Sequence, residues 1–299
     1  MKTKLIGMLL AGLVTSSCVG HAQDYPKTRA EMMKLVQGLK YQQGEIKIQD
    51  GLATLNVPTN FNYLNPSDAE TVLVKLWRNP PSIRTLGLLM PADKTPLDED
   101  CWVVTISYAD DGYVKDDDAS KINYDKLLKK MQDATRENNQ ARTAKGYPAI
   151  ELVGWAAPPR YDAATHKLYW AKELKFGHQA DNTLNYDIRI LGRRGVLVLD
   201  AVASMSQLGE IEKQTPQILS MVDFSGGSRY ADFDPKVDKV ATYGIAALVA
   251  GGIAAKLGFF KLIWVFLLAA KKFVIIAFVA VVAWFRKIFG KGRSPGPTG

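Results

Sequence analysis

Asp110, Asp111, Asp116, Asp117 and Asp118 crowd one short stretch, and so many hard oxygen donors suggest a bound cation such as Ca²⁺ or Mg²⁺. Asp116 and Asp118 are the candidate metal ligands, and with an activated water they would make a metal-assisted hydrolase. The spacing argues against a dedicated cation loop. Counted from Asp116, Lys121 stands where a helix-loop-helix calcium site needs glycine, and Leu127 where it needs glutamate. The plainer expectation is a solvated turn in which Asp117 or Asp118 caps the following helix.

A second constellation follows from strand pairing. If Gly192 pairs with Gly195, Asp187 lies opposite Asp200; if Phe176 pairs with Thr183, Lys172 lies opposite Asp187 and Trp170 opposite Arg189. Lys172, Asp187 and Asp200 then form a row across three strands, to which Arg189 and Trp170 add a cation and an aromatic wall. The plainer expectation is a solvent-facing sheet stapled by salt bridges. The alternative is a ligand groove, or an active site built on Lys172, Asp187 and Asp200. A one-residue slip would rearrange every pair.

The remaining chemistry is sparse. His21, His166 and His178 are the only histidines, and an extended strand would hold the last two roughly 40 Å apart. No serine sits in a G-x-S-x-G elbow, and no glycine-rich phosphate loop occurs. Gly192-Arg193-Arg194-Gly195 resembles an anion-binding turn, but a tight hairpin needs the same residues. Trp155, Tyr161, Tyr169, Trp170 and Tyr186 surround Pro158-Pro159, where core packing is a commoner use than a sugar or peptide platform. Cys101 reads as a small buried residue, and no cofactor is expected.

These residues need strands and helices to carry them. Thr28 and Glu31 form a capping box ahead of Met32, Met33, Leu35, Val36 and Leu39, which predicts a short helix. Alternation over residues 45–57 around Asp50-Gly51 predicts a hairpin with a two-residue turn, ended by Pro58. Ser67 and Glu70 cap a helix through Val72, Leu73, Leu76 and Trp77 that Pro80-Pro81 must stop. Strands follow at 85–90 and 102–108, and a long helix at 122–142 turns Leu127, Leu128 and Met131 inward. Further strands are expected at 150–156, 166–176, 183–191 and 195–203, before a helix at 207–221. Consecutive strands with short links mean an antiparallel meander. The fold class is α+β, a largely antiparallel sheet flanked by helices, in one unit over residues 23–239.

The runs Gly112-Tyr-Val-Lys-Asp-Asp-Asp-Ala119, Leu152-Val-Gly-Trp-Ala156, Lys167-Leu-Tyr-Trp-Ala-Lys172, Leu184-Asn-Tyr-Asp-Ile-Arg-Ile-Leu-Gly-Arg-Arg-Gly-Val196 and Asp238-Lys-Val-Ala-Thr-Tyr-Gly244 resemble bacterial membrane-anchored proteins grouped as domain-of-unknown-function family 2167. That resemblance implies an envelope location and a membrane anchor, and supplies no catalytic residue. The order of elements also resembles PsbP/Mog-like α/β/α sandwiches, whose members are commonly binding or accessory modules. Fold does not decide function.

Charge supports the same address. The chain carries 38 Lys and Arg against 30 Asp and Glu, but residues 240–299 hold eight of the basic residues and no acidic one. The domain itself is nearly neutral, so nucleic acid is not an expected partner. Residues 1–22, with Lys2 and Lys4 before an apolar core, read as a secretory signal. Cleavage there removes Cys18; its alternative use as a lipid attachment site lacks the usual upstream leucine.

Residues 240–260 match the bilayer thickness as one transmembrane helix, in which Ala247, Gly251 and Ala255 offer a small-residue face for self-association. Residues 261–299 form either a basic amphipathic helix on the inner leaflet or a second, lysine-interrupted span. The main domain is therefore expected in the periplasm, anchored to the bacterial inner membrane. The expected function is non-enzymatic binding of a ligand or an envelope partner.

Overall fold

The capping box of Thr28 and Glu31 is present and opens α1 (Arg29–Gln37). The computed structural model describes residues 25–77, 79, 85–144, 148–177 and 181–251. The expected signal, His178 and the chain beyond residue 251 lie outside them.

β1 (Gly44–Ile48) and β2 (Ala53–Val57) pair as a hairpin, but Ile48 stands opposite Ala53. The connection therefore spans residues 49–52, with Gln49, Asp50 and Gly51 all at positive φ, and not the two-residue turn expected at Asp50-Gly51. The longer loop lets the Leu52 carbonyl accept from Ser225 N–H at 3.0 Å, extending the pairing of β2 with its other neighbour.

After β3 (Phe61–Leu64), α2 (Pro66–Glu70) is capped by Asn65 and not by Ser67. The Asn65 side chain accepts from Ser67 and Asp68 N–H, while Pro66, lacking a donor, suits the first helical position. A π-helical turn, Thr71–Leu76, continues it and buries Val72, Leu73, Val74 and Leu76.

The other elements are β4 (Gly87–Pro91), β5 (Val104–Ala109), α3 (Tyr124–Thr143), β6 (Ile150–Asp162), β7 (Lys167–Phe176), β8 (Thr183–Leu191), β9 (Val196–Ser204), α4 (Leu208–Met221), β10 (Val222–Phe224) and α5 (Ile245–Val249). They form a seven-stranded antiparallel sheet, β3-β4-β5-β9-β8-β7-β6, and a three-stranded one, β1-β2-β10. The α+β class with largely antiparallel sheets is thus observed. β6 runs past its expected end through Pro158 and Pro159, with several register shifts, as an edge strand tolerates.

The large sheet is buried on both sides. One face packs Leu184, Tyr186, Ile188, Ile190, Leu197 and Leu199 against α4 and the small sheet. On the other, α3 covers Leu152, Leu174 and Phe176 with Leu128 and Met131, while Ile245, Leu248 and Val249 of α5 join a cluster with Leu168, Trp170, Val196 and Val198. The first part of the expected membrane span therefore rests on the domain. Among the described residues no helix is long and apolar enough to cross a membrane.

Candidate functional site

The predicted row exists, with one correction of register and one of environment. Gly192 N–H donates to the Gly195 carbonyl at 2.8 Å, and Asp187 faces Asp200 as expected. Between β7 and β8, however, Thr183 pairs with Leu174 and not with Phe176. Trp170 then lies opposite Asp187, and Lys172 opposite Asn185. A shift of two residues preserves the face, so Lys172 still reaches Asp187 diagonally, with Nζ 3.0 Å from Oδ2.

The expected solvent-facing lattice is overturned. Asn185, Asp187, Arg189 and Asp200 are 1%, 1%, 3% and 4% exposed. The sheet face that carries them lies beneath α3 and α5, whose apolar clusters flank it on both sides.

Arg189 is the hub of the row. One terminal nitrogen donates to Asp200 Oδ1 at 2.7 Å, the other to Asp187 Oδ1 at 3.0 Å, and the guanidinium carbon lies 5.0 Å from the Trp170 ring centroid. Burial disfavours its charge, but the two carboxylates outweigh that and raise its pKa. Burial pushes the Asp200 carboxyl up to about 7; Arg189 pulls against the rise and Asp187 adds to it.

Pairing does not satisfy every polar atom. Trp155 stands opposite Lys172 on β6, as Asn185 does on β8. The indole N–H groups of Trp155 and Trp170, both amide atoms of Asn185, Arg189 Nε and Asp187 Oδ2 find no hydrogen-bond partner among the described residues. Lys172 is close enough to Asp187 Oδ2 for an ion pair but not aligned for a hydrogen bond. The row expected from the sequence omits Asn185 and also Trp155, which is placed among the aromatics around Pro158-Pro159. Asn185 shares the parity of Asp187 and was legible, whereas register shifts in β6 hide the face on which Trp155 lies.

The acidic loop does different work. Asp118 does not cap the next helix, which Asn123 caps. Its two oxygens instead accept from Ile245 and Ala246 N–H, each at 3.1 Å, at the start of α5. Asp111 accepts from the Tyr243 hydroxyl at 2.7 Å. Tyr113 N–H donates to the Lys239 carbonyl and the Tyr113 carbonyl accepts from Ala241 N–H, both at 2.8 Å.

Two glycines make this contact possible. A Cβ at Gly112, where φ is +106°, would lie 2.6 Å from the Lys239 carbonyl, and one at Gly244 would lie 2.9 Å from Asp118 Oδ1.

The loop is fixed to the body through Asp116, which accepts from the Tyr161 hydroxyl at 2.6 Å and lies 3.5 Å from His166 Nδ1. Burial opposes ionisation of Asp116, but bonds from Tyr161 and Tyr230 prevail and lower its pKa. Asp116 and Asp118 thus serve separate partners. Among the described residues, no group of three or more His, Cys, Asp and Glu side chains could hold a metal.

An open cavity of about 250 Å³ is lined by Leu52, Tyr108, Asp110, Arg193, Arg194, Gly227 and Ser228. Its arginines are engaged by Asp238, at 2.6 Å from Arg193 Nε and 3.1 Å from Arg194 Nε, so the turn is a structural clamp. Cys101 is half-buried, and burial followed by Asp98 and Asp100 pushes its thiol up to about 12. It is no nucleophile at neutral pH.

Residues 17–282 match the family described as "Protein of unknown function (DUF2167)". The chain belongs to that family. A comparison with curated proteins finds no match.

Three solved structures share similarity at low identity. They are cyanobacterial PsbP (CyanoP) from Synechocystis sp. PCC 6803 (9% identity, 62% of this chain and 94% of that chain, TM-score 0.33), the Saccharomyces cerevisiae Ran-binding protein Mog1p (12%, 66% and 100%, 0.34) and Mycobacterium tuberculosis LpqN, involved in cell envelope biogenesis (15%, 66% and 97%, 0.29). These are the PsbP and Mog names that the order of elements suggested. At such scores they carry no argument about the site of this DUF2167 member.

Proposed function

We propose that this protein is a non-enzymatic binding module of the bacterial envelope, tethered to the inner membrane with its domain in the periplasm, and that the row is its binding centre. One observation carries the reading: polar atoms of Trp155, Trp170, Asn185 and Arg189 lie buried on a single sheet face without hydrogen-bond partners among the described residues. Leaving such atoms unpaired costs about 1–3 kcal/mol each, which a ligand able to pair with them would recover. The charges indicate its class. Lys172 and Arg189 balance Asp187 and Asp200, so a charged ligand would bring uncompensated charge into a desolvated site. The open groups are mostly an amide and indole N–H, beside the rings of Trp155 and Trp170. They suit an uncharged ligand rich in amide or hydroxyl groups.

The tether rests on the acid-free tail, and the PsbP/Mog-like sandwich on the order of elements. Small residues Ala246, Ala247 and Ala250 point away from the buried side of α5, which keeps Ala247 of the proposed self-association face off the buried seam; Ala255 of that face lies outside the described residues. A hydrolase gains nothing from this geometry, since Asp116 and Asp118 are committed elsewhere and Lys172 sits between an aspartate and a tryptophan ring.

The test is thermal denaturation of the detergent-solubilised full chain with millimolar N-acetylglucosamine, acetamide, acetate and inorganic phosphate, for the wild type and Asn185→Leu. A neutral probe that stabilises only the wild type supports the reading. Equal responses of the two proteins to every probe overturn it. Periplasm-dependent reporters fused after Lys236 and after Gly299 test the tether, with activity expected at the first point only.

A further inference from the structure

We infer that residues 238–251 form a detachable cover over the row, so that access to the site and the start of the C-terminal segment move together. This rests on the row being the binding centre, and it goes beyond that reading by assigning a moving part. The cover belongs to neither sheet: among the described residues its backbone bridges to the backbone of the body at one place, Tyr113 with Val240. Side-chain fastenings include Asp238 to Arg193 and Arg194 at its start, and, at its middle, Tyr243 to Asp111 and Asp118 to the first turn of α5.

α5 has five residues, too few to persist as a helix without its docking surface. The segment is therefore either seated and helical or released altogether. Two discrete states follow.

The seam beneath the cover differs from an ordinary core contact. On the near side lie Leu168, Trp170, Val196 and Val198, which share a cluster with Ile245, Leu248 and Val249. Beside them lie atoms of Trp170, Asn185 and Arg189 that have no hydrogen-bond partner among the described residues, and the Tyr243 phenol is close enough to feel the Arg189 charge. When the cover lifts, apolar contact is lost but those atoms gain water, so opening costs less than parting a seam of purely apolar groups. The aspartates that look like a cation loop are, on this account, the catch of the cover.

Thiol labelling of the detergent-solubilised full chain tests this without any ligand. With the native cysteines replaced, Leu248→Cys reports on the cover and Leu199→Cys on the opposite, apolar face of the sheet. A cover that opens on its own should let Leu248→Cys react about tenfold or more faster than Leu199→Cys, which must await global unfolding. Weakening the catch by Asp118→Asn, or by Gly244→Ala, whose Cβ would press on Asp118, should speed the first position about fivefold and leave the second unchanged. Equal rates at the two positions, or a Leu248→Cys rate indifferent to both catch variants, would overturn the cover. Because no probe binding is involved, that failure is distinct from a failure of the binding reading.

Discussion

Strand β8 builds two unlike surfaces from alternate residues. Leu184, Tyr186, Ile188 and Ile190 join the apolar core against α4 and the small sheet, whereas Asn185, Asp187 and Arg189 carry the row on the other side. Both faces are buried, so exposure does not explain the difference. Each large side chain of the apolar face contributes about 1.5–3 kcal/mol by leaving water. The row must instead desolvate charges whose mutual attraction roughly offsets the cost, and it leaves further polar atoms unpaired. One face therefore holds the fold together, while the other is kept at some expense in stability, which is what a site requires.

The largest effect is expected at the hub. Arg189→Met leaves Asp187 and Asp200 facing each other with only Lys172 nearby, and should cost about 3–5 kcal/mol in a denaturant titration at neutral pH. Acidification should restore part of this. In the wild type the Asp200 carboxyl sits near 7 when folded, above its ordinary 3.8, so the folded state takes up that proton first. Its contribution to stability is complete below about pH 4 and is lost as pH rises through about 7, a slope bounded by about 1.4 kcal/mol per pH unit. Asp200→Asn should remove that slope. If Arg189→Met loses less than about 1 kcal/mol, the row behaves as an exposed lattice and the contrast between the faces fails.

Lys172→Met should have a smaller effect. Its side chain is 14% exposed, and Asp187 keeps Arg189 as a partner when the ammonium is gone. A loss of about 1–3 kcal/mol is expected in the same titration, below that of Arg189→Met at every pH. A reversed order would move the hub of the row to Lys172.

How much of this was legible follows from which interactions are local. β8 is legible residue for residue, because apolar residues alternate strictly with polar ones from Leu184 to Ile190 between turn signals. Asp187 opposite Asp200 was legible because the short Gly192–Gly195 connection fixes register. The β7–β8 register was off by two because residues 177–182 give no turn signature that sets the loop length. Parity survived the error, and with it the membership of the row.

Burial of the row could not be read from alternation, which marks a polar face as solvated unless something covers it. The cover was concealed because residues 240–251 resemble a membrane span in composition. Asp118 shows the same limit: a carboxylate before a helix predicts a local cap, but its acceptors lie opposite N–H groups 127 and 128 residues away.

The smallest expected effect separates the faces most sharply, at two adjacent residues. Asn185 and Leu184 share a strand and are both almost fully buried, but they point to opposite sides. Asn185→Leu removes an amide that has no partner among the described residues and substitutes an apolar group of similar length, so stability should change by no more than about 1 kcal/mol, or rise. Leu184→Asn places an amide in the apolar core and should cost several times as much. Denaturant titration of both variants decides the matter. If Asn185→Leu is as damaging as Leu184→Asn, then Asn185 is a structural member of the row, and the unpaired amide cannot be the group that awaits a ligand.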